Sequence, residues 1–237
     1  MKVLVLPVYN EEIVIEGLIS EFLSLDPTLN VLIIDDESSD GTSKILDSID
    51  NDRLTVIHNE ANLGHGLSVI KGLTFALRMG ADIVATADGD GNYFAHDVLS
   101  MMSVLDNHNF QIVEGIRIGR EDPWFRRISS FATRQLVLLR SKQLTKDANT
   151  PFHVFRAGIL NEILSFIPET GKVIPNMYIS SIIRSKSLQF TSYEVISNNR
   201  KGNNPLGVTW NQKNRNIPSK RYLKFCLHAV FDWFLKK

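Results

Sequence analysis

Apolar residues along the first 118 positions follow two alternating rhythms. Short β-branched runs over 2–7, 30–34, 54–58, 82–87 and 111–116 predict strands. Segments of helical period over 11–25, 40–49, 66–78 and 96–107 predict helices between them, with Asp40 ahead of Lys44, and His96 ahead of an apolar run, marking helix starts. Strands and helices alternating in this way build βαβ units, so the pattern predicts an α/β fold with a mostly parallel central sheet flanked by helices. After Gly119 the rhythm breaks. Helices are expected over 126–139, 155–166 and 176–187, a strand over 188–196, and a last helix over 219–236 as a C-terminal extension. Residues 197–218, polar and rich in Asn, Gly and Lys, read as a loop or linker, and the sequence shows no internal repeat.

Composition narrows the class. A chain of 237 residues and 26.8 kDa holds one large domain, or one with an appendage. With 43% hydrophobic and 22% charged residues it is not a disordered chain, a disulfide scaffold or a fibrous repeat. Cys226 is the single cysteine, and the N-terminus lacks the long apolar stretch of a signal peptide, so a reducing, cytoplasmic setting is expected. No run approaches the roughly 18 to 20 apolar residues that a spanning helix needs, which leaves contact with a membrane surface open. The net charge of zero hides an asymmetry: 19 acidic and 6 basic residues up to Ile118, then 7 and 20 from Gly119 on, so the halves carry −13 and +13. An acidic half suits divalent cations and a basic half suits phosphates or an anionic surface. Charge alone does not choose among these and nucleic acid.

In an open parallel sheet, ligands gather at the carboxyl ends of the strands. Strand one runs out into Pro7, Val8, Tyr9, Asn10, Glu11 and Glu12, and strand two into Asp35, Asp36, Glu37, Ser38, Ser39 and Asp40 before Gly41 and Thr42. Strand three leads to Asn62, Leu63, Gly64, His65 and Gly66, and strand four to Asp88, Gly89, Asp90, Gly91 and Asn92. Asp40 reads as a helix cap. Asp35 and Asp36 repel each other unless a cation or hydrogen-bond donors take them up, which makes Asp36 a functional candidate. Gly64 and Gly66 do not complete a dinucleotide-binding GxGxxG, because Val69 stands at the third glycine position, and no Walker lysine follows. Asp88, Asp90 and Asn92 offer oxygen ligands at every second position, as a calcium loop begins, but the bidentate Glu expected further on is missing. Such a set suits Mg or Mn held through one or two carboxylates, with substrate phosphates completing the shell.

The segments PVYNEE (7–12), IIDDESSDGT (33–42), NLGHG (62–66) with Gly72, and DGD (88–90), in this order and spacing, resemble glycosyltransferase family 2 with its Rossmann-like GT-A fold. Within that family the likeness is to polyprenyl-phosphate sugar transferases of the dolichol-phosphate mannose synthase type, and it covers about half of the chain. Weaker likenesses follow. Gly115, Ile116 and Arg117 resemble the family's glycine, small residue and arginine after strand five, and Arg200, Lys201 and Gly202 resemble its basic loop. DANTPFHVFR (147–156) is similar to its acceptor-facing segment, but Asn149, Thr150, Pro151 and His153 stand where the family has Thr, Gly, Gly and Arg. Those departures bear on the acceptor more than on the reaction.

The resemblance implies a metal-dependent, inverting transfer of a sugar from a nucleotide diphosphate sugar to a polyprenyl phosphate, or alternatively to a soluble or lipid-linked glycan, with no nucleic acid involved. It implies a domain over 1–218, with a nucleotide-sugar and metal-binding half at 1–118 and an acceptor half at 119–218, followed by an amphipathic helix at 219–237. Tyr9, Glu11 and Asp36 would hold base and ribose, Pro7 and Asn10 would shape the loop, and Gly64 would let backbone approach. Asp88, which also belongs to the donor site, would hold the divalent cation (Mg or Mn) on the diphosphate together with Asp90 and Asn92. In sugar transfer the departing diphosphate gathers negative charge while the sugar carbon becomes oxocarbenium-like. Arg117, and Arg200 with Lys201 on a closing loop, are the cations expected to meet that charge. A hydroxyl acceptor would also need a base, for which Asp147 is the candidate; a lipid phosphate is already anionic and would not. A sugar-phosphate nucleotidyltransferase would want a glycine-rich loop with arginine where PVYNEE stands, whereas a non-catalytic nucleotide-sugar binder would keep Asp36 and the metal site without turnover.

In the last helix Arg221, Lys224, His228 and Asp232 fall on one stripe and most other positions are apolar. An arc this wide can lie peripherally in a membrane interface, dock a partner or a second copy to make a homo-oligomer, or cap the core. At an anionic inner leaflet Phe231, Trp233 and Phe234 would insert, and in every case Trp233 should not be exposed on all sides.

Overall fold

The computed structural model describes residues 1–120, 122–168, 174–197 and 217–234. Its elements run β1 (Lys2–Val8), α1 (Ile15–Leu25), β2 (Leu29–Asp35), α2 (Thr42–Ser48), β3 (Leu54–His58), α3 (His65–Arg78), β4 (Ile83–Thr86), α4 (Ala95–Asn107), β5 (Ile112–Ile118), α5 (Trp124–Ser141), β6 (His153–Arg156), α6 (Ala157–Phe166), α7 (Pro175–Ser185), β7 (Phe190–Ile196) and α8 (Lys220–Phe234). The strands form one sheet in the order β3-β2-β1-β4-β6-β5-β7, parallel throughout except for β6, which is antiparallel to both β4 and β5. This is the mostly parallel, helix-flanked sheet that the sequence predicts.

Alternation along the strands sets the layers. Val3 and Val5 join Leu32 and Ile34 in a core shared with α3, α6 and α7, whereas Leu4, Leu6 and Val8 join Val31 and Ile33 in a second core with α1 and α4. All nine are at most 2% exposed. Burying side chains of this size stabilises the fold by about 1.5 to 3 kcal/mol each. Gly72 lets α3 lie close on the sheet, since a Cβ there would meet Val5 Cγ1 at 2.3 Å and Ile34 Cγ1 at 3.0 Å.

Several element bounds differ by one or two residues from the sequence expectation, and three differences have a clear local cause. Helix α1 begins at Ile15 rather than position 11, because Val14 and Ile15 both donate their N–H to Glu11 O at 3.0 Å and make a separate turn first. Helix α2 begins at Thr42 rather than position 40, since Asp40 Oδ1 accepts from Thr42 N at 2.9 Å and closes an Asx turn ahead of it. The helix expected over 155–166 is split: Phe155 and Arg156 belong to β6, and only Ala157 onward is helical. Phe155, Ile159 and Ile163 fall at helical spacing, so the period runs back through the strand. His153, Val154 and Phe155 are all fully buried, which leaves β6 no alternation to betray it.

A buried charge cluster lies where β5, β6 and α7 meet. Arg184 of α7, 3% exposed, donates to both oxygens of Glu114 at 3.0 and 2.6 Å, and Ser180 Oγ adds a third bond at 2.6 Å. His153 Nε2 lies 3.9 Å from Glu114 Oε1, and among the described residues neither ring nitrogen has a hydrogen-bond partner. Burial pushes the His153 imidazole down to about 4; Glu114 pulls it upward, but less than burial and Arg184 press it down.

Helix α8 caps the core along one side. Trp233, 7% exposed, packs on Tyr178 at 5.1 Å between ring centroids, with the Arg140 guanidinium 5.0 Å from each ring. Tyr222 packs edge-on to Phe125 at 5.1 Å and its hydroxyl bonds Ser129 of α5. The expectation that Trp233 is sheltered holds, and Trp233 is therefore not available for insertion into a membrane.

Candidate functional site

The carboxyl ends of β1 to β5 collect at one edge of the sheet. Strand β1 pairs with β2 as far as Val8 but with β4 only from Lys2 to Val5, so the two strands part at their ends. Pro7, which has no N–H to offer a ladder, stands where β4 has already turned away. Chain connections leave β1 toward β2 on one side and reach β4 on the other, the topological switch point at which ligands bind in such sheets. Gly89 keeps the crevice floor tight, because a Cβ there would meet Val8 Cγ2 at 2.6 Å and Pro7 O at 2.7 Å.

The β1 loop is stitched to the β2 loop. Asn10 sits at φ 57°, its N–H donates to Ser38 Oγ at 2.9 Å, and its Oδ1 accepts from Ser39 N at 2.7 Å. Glu11 N donates to Thr42 Oγ1 at 2.8 Å, and Glu12 Oε2 accepts from Gly41 N at 2.7 Å. Tyr9 is half-buried beside them. Like-charge repulsion between Asp35 and Asp36 is relieved by giving each its own donors. Asp35 accepts from Ser38 N at 3.1 Å and Ser43 Oγ at 2.6 Å and pairs with His58 Nδ1 at 2.7 Å. Burial would raise its carboxyl, but these three partners hold it below the ordinary aspartate value. His58 in turn is pushed down by burial, and more than restored by Asp35 and Asp47, so it titrates above an ordinary histidine.

Asp36, 3% exposed, is turned the other way. It accepts from Asn59 Nδ2 at 2.7 Å, Leu63 N at 2.9 Å and Gly64 N at 2.8 Å. Three of the roughly four lone-pair positions of a carboxylate are filled, which leaves room for about one ligand donor. Gly64 opens α3 at φ 87°, a conformation costly for any residue with a Cβ. Asn59 escaped the sequence reading: it bonds Asp36 and Ser68 through Nδ2 and accepts from Lys71 Nζ at 2.6 Å. Its only sequence signal is an amide directly after β3.

Asp88 and Asp90 follow β4 into the crevice. Asp90 accepts from Asn92 N at 3.1 Å and Nδ2 at 2.5 Å, and Asp88 Oδ1 lies 3.6 Å from His65 Nε2. Among the described residues no trio of His, Cys, Asp and Glu side chains is gathered for a metal. Yet among the described residues Asn92 Oδ1 is buried without a hydrogen-bond partner, on the side chain whose Nδ2 bonds Asp90. An orphaned amide oxygen and two carboxylates form a hard-oxygen donor set that fits Mg or Mn with substrate phosphates in the shell.

Across β6, Arg117 of β5 forms a two-pronged pair with Asp147, Nε to Oδ2 at 2.7 Å and a terminal nitrogen to Oδ1 at 2.8 Å, and donates to Asn149 O at 2.7 Å. Burial alone would raise Asp147, but Arg117 and Arg120 hold it below the ordinary value, so it is a weak proton acceptor in this arrangement. A cleft of about 210 Å³ opens beside the pair, lined by Arg117, Arg120, Arg127, Arg134 and Lys146 against the acids Asp122 and Asp147. Burial, then the neighbouring Arg117 and Arg126, depress Arg120 below an ordinary arginine despite Asp122. A second hollow of about 240 Å³ shares Arg117, Arg120 and Ser130 and continues between α5, α7 and α8 along Leu136, Ile174, Met177 and Val230. Of this cationic set the sequence reading singled out Arg117 alone; the charge bias beyond Gly119 was the available signal. Arg200 and Lys201 lie outside the described residues.

The family model described as Glycosyl transferase family 2 matches residues 3–164. Over 129 residues the chain is 31% identical to the UDP-N-acetylglucosamine--dolichyl-phosphate N-acetylglucosaminyltransferase of Methanococcus voltae, which covers 48% of this chain and 51% of that one. Over 105 residues it is 27% identical to the polyprenol monophosphomannose synthase of Mycolicibacterium smegmatis, covering 43% and 40%. The matched stretch thus spans about half of these relatives or less. Among solved structures, glucosyl-3-phosphoglycerate synthase from Mycobacterium tuberculosis with phosphoglyceric acid aligns at TM-score 0.68 and 15% identity, covering 99% of this chain and 79% of that one. With Mn2+, UDP and phosphoglyceric acid bound, the same protein aligns at 0.64 and 20% identity, covering 87% and 72%.

Proposed function

Because the chain belongs to glycosyl transferase family 2 and has the GT-A fold, we propose that it moves a sugar from a nucleoside diphosphate sugar to a polyprenyl phosphate, with a divalent cation and inversion at the sugar carbon. The observation that carries this reading is the shared wall of the cationic cleft and the apolar hollow. A lipid phosphate is the acceptor that has both parts, an anion for the arginines and a hydrocarbon chain for the groove. The names of the Methanococcus and Mycolicibacterium relatives, with dolichyl and polyprenol phosphate acceptors, support it.

In this reading Tyr9, Glu11 and Asp36 hold the nucleoside, with Pro7, Asn10 and Gly64 shaping the loops. Asp88, Asp90 and Asn92 would hold the cation, which when bound draws charge from the donor diphosphate. An acceptor phosphate oxygen attacks the anomeric carbon, a new C–O bond forms on one face, and the bond to the diphosphate breaks on the other. The acceptor oxygen is already anionic, so no base is needed and Asp147 serves to orient Arg117. Arg117, with Arg200 and Lys201, meets the phosphate charge. A soluble phosphorylated acceptor, as in glucosyl-3-phosphoglycerate synthase, is the second reading, since it would use the cleft without the groove. Transfer to a glycan hydroxyl would need Asp147 released from Arg117.

The test offers UDP- and GDP-sugars, with Mn or with EDTA, to a short-chain prenyl phosphate, 3-phosphoglycerate and a soluble oligosaccharide. Metal-dependent transfer to the prenyl phosphate is expected, lowered about 10- to 100-fold by Arg120→Ala as a charge-assisted bond is lost. Metal should also tighten nucleoside diphosphate binding in wild type and not in Asp90→Ala. Transfer to the oligosaccharide alone, abolished by Asp147→Asn, would overturn the acceptor; metal-independent binding would overturn the cation site.

A further inference from the structure

Two rows of large apolar side chains face solvent on the helices that wall the apolar groove. On α5, Trp124, Ile128 and Phe131 are 55%, 59% and 56% exposed, one to two turns apart on one face. On α8, Leu223, Leu227 and Phe234 are 50%, 67% and 62% exposed at the same kind of spacing. Neither row is needed to hold its helix. Helix α5 is anchored by Phe125 and Val137, and α8 by Tyr222 and Trp233, all at most 9% exposed. The groove shares its rim with both rows through Ala132 of α5 and Val230 of α8. A soluble surface seldom exposes this many large apolar side chains on two neighbouring helices unless something covers them.

Charge says what covers it. Around its exposed row helix α5 carries Arg126, Arg127 and Arg134 and no acid, and α8 carries Lys220 and Lys224 against the single acid Asp232. In a symmetric contact between two copies the same basic patch would meet itself. An anionic bilayer instead supplies opposite charge around an apolar interior. We propose that the α5–α8 face seats on an anionic membrane surface, with Ile128, Phe131 and Leu227 entering the acyl boundary and the groove opening toward the lipid. This rests on the reading of a lipid-linked acceptor, and it moves the inserting residues away from the core-bound Trp233.

The full chain is sedimented with vesicles of phosphatidylcholine alone and of phosphatidylcholine with about one third phosphatidylglycerol. Binding is expected only to the anionic vesicles, falling steeply as salt rises from about 0.05 to about 0.5 M. The double substitution Ile128→Ser, Phe131→Ser should weaken that binding by about tenfold. It should leave the thermal midpoint and turnover on a short soluble prenyl phosphate unchanged, while turnover on a long-chain acceptor held in vesicles falls. Leu227→Ser, on the other helix, is the independent variant should the double substitution unfold. Full binding retained by both variants would overturn the proposal, as would a dimer in size-exclusion chromatography that the same substitutions dissociate while vesicles are ignored. If no prenyl phosphate is glycosylated but vesicle binding still depends on Ile128, Phe131 and Leu227, the docking surface stands and the acceptor reading fails.

Discussion

Replacing Arg184 with methionine should produce a protein whose stability responds to acid differently from the wild type. Glu114, 1% exposed, takes two hydrogen bonds from Arg184, and a buried carboxylate stripped of its partner costs about 3 to 5 kcal/mol. That cost applies near neutral pH, where His153 is uncharged. In the wild type the folded His153 titrates at about 4, below its ordinary 6.5. The unfolded chain therefore takes up a proton first, so this contribution is full above pH 6.5 and is lost as pH falls toward 4, on the order of 3 kcal/mol at 1.36 kcal/mol per pH unit. Without Arg184, a principal repulsion on His153 disappears while Glu114 remains 3.9 Å away, so the imidazolium becomes the substitute partner. Below pH 6.5 the wild type then loses stability that the Arg184→Met variant keeps, and the gap between them narrows by about 1 kcal/mol per unit. Urea denaturation from about pH 8 to about pH 5.5 reads this directly. Adding His153→Phe should abolish the narrowing. A gap that stays constant or widens with acid refutes the coupling between His153 and Glu114.

Gly89→Ala should destabilise the fold by about 1 to 3 kcal/mol, because the new methyl meets Pro7 O and Val8 Cγ2 and must displace the ends of β1 and β4; thermal unfolding with and without UDP checks both stability and the crevice. The Asp35–His58 pair stabilises through a histidine whose folded value is raised, so its contribution is full below the unfolded value and fades as pH rises through the folded one. Wild type should therefore exceed His58→Gln in thermal midpoint by more near pH 6 than near pH 8.5, and an equal difference at both would show that the pair does not titrate in this range.

The sequence made the parallel half of the sheet plain because each of β1 to β5 is an apolar run that ends in polar residues, and periodicity needs only local information. It missed β6 because a four-residue strand buried on both faces has no alternation, and its partners lie some 40 and 70 residues earlier in the chain. Among site residues the acids announced themselves by type and position. What Asp36 does was not legible: the peptide N–H groups of Leu63 and Gly64 that it binds are common to every residue, so sequence cannot mark them. Arg117 and Asp147 were each visible as candidates, yet their pairing depends on β6 folding back against β5. Apart from Arg117, the cationic cleft was visible only as an excess of charge, because the arginines that line it are scattered over strand β5, helix α5 and the loop between them.

Strand β6 also acts as a spacer. Because it is antiparallel, its first residues, rather than its last, lie at the edge where β4 and β5 end, and the segment carrying Asp147 is delivered to that edge. Inserted between β4 and β5, it holds the acid loop of one and the arginine of the other two strand intervals apart, on the order of 10 Å. A diphosphate and one hexose ring span a comparable length. Under the sugar transfer proposed above, side-chain exchange around the crevice would change which sugar that gap receives, whereas the width of the gap is set by the sheet itself.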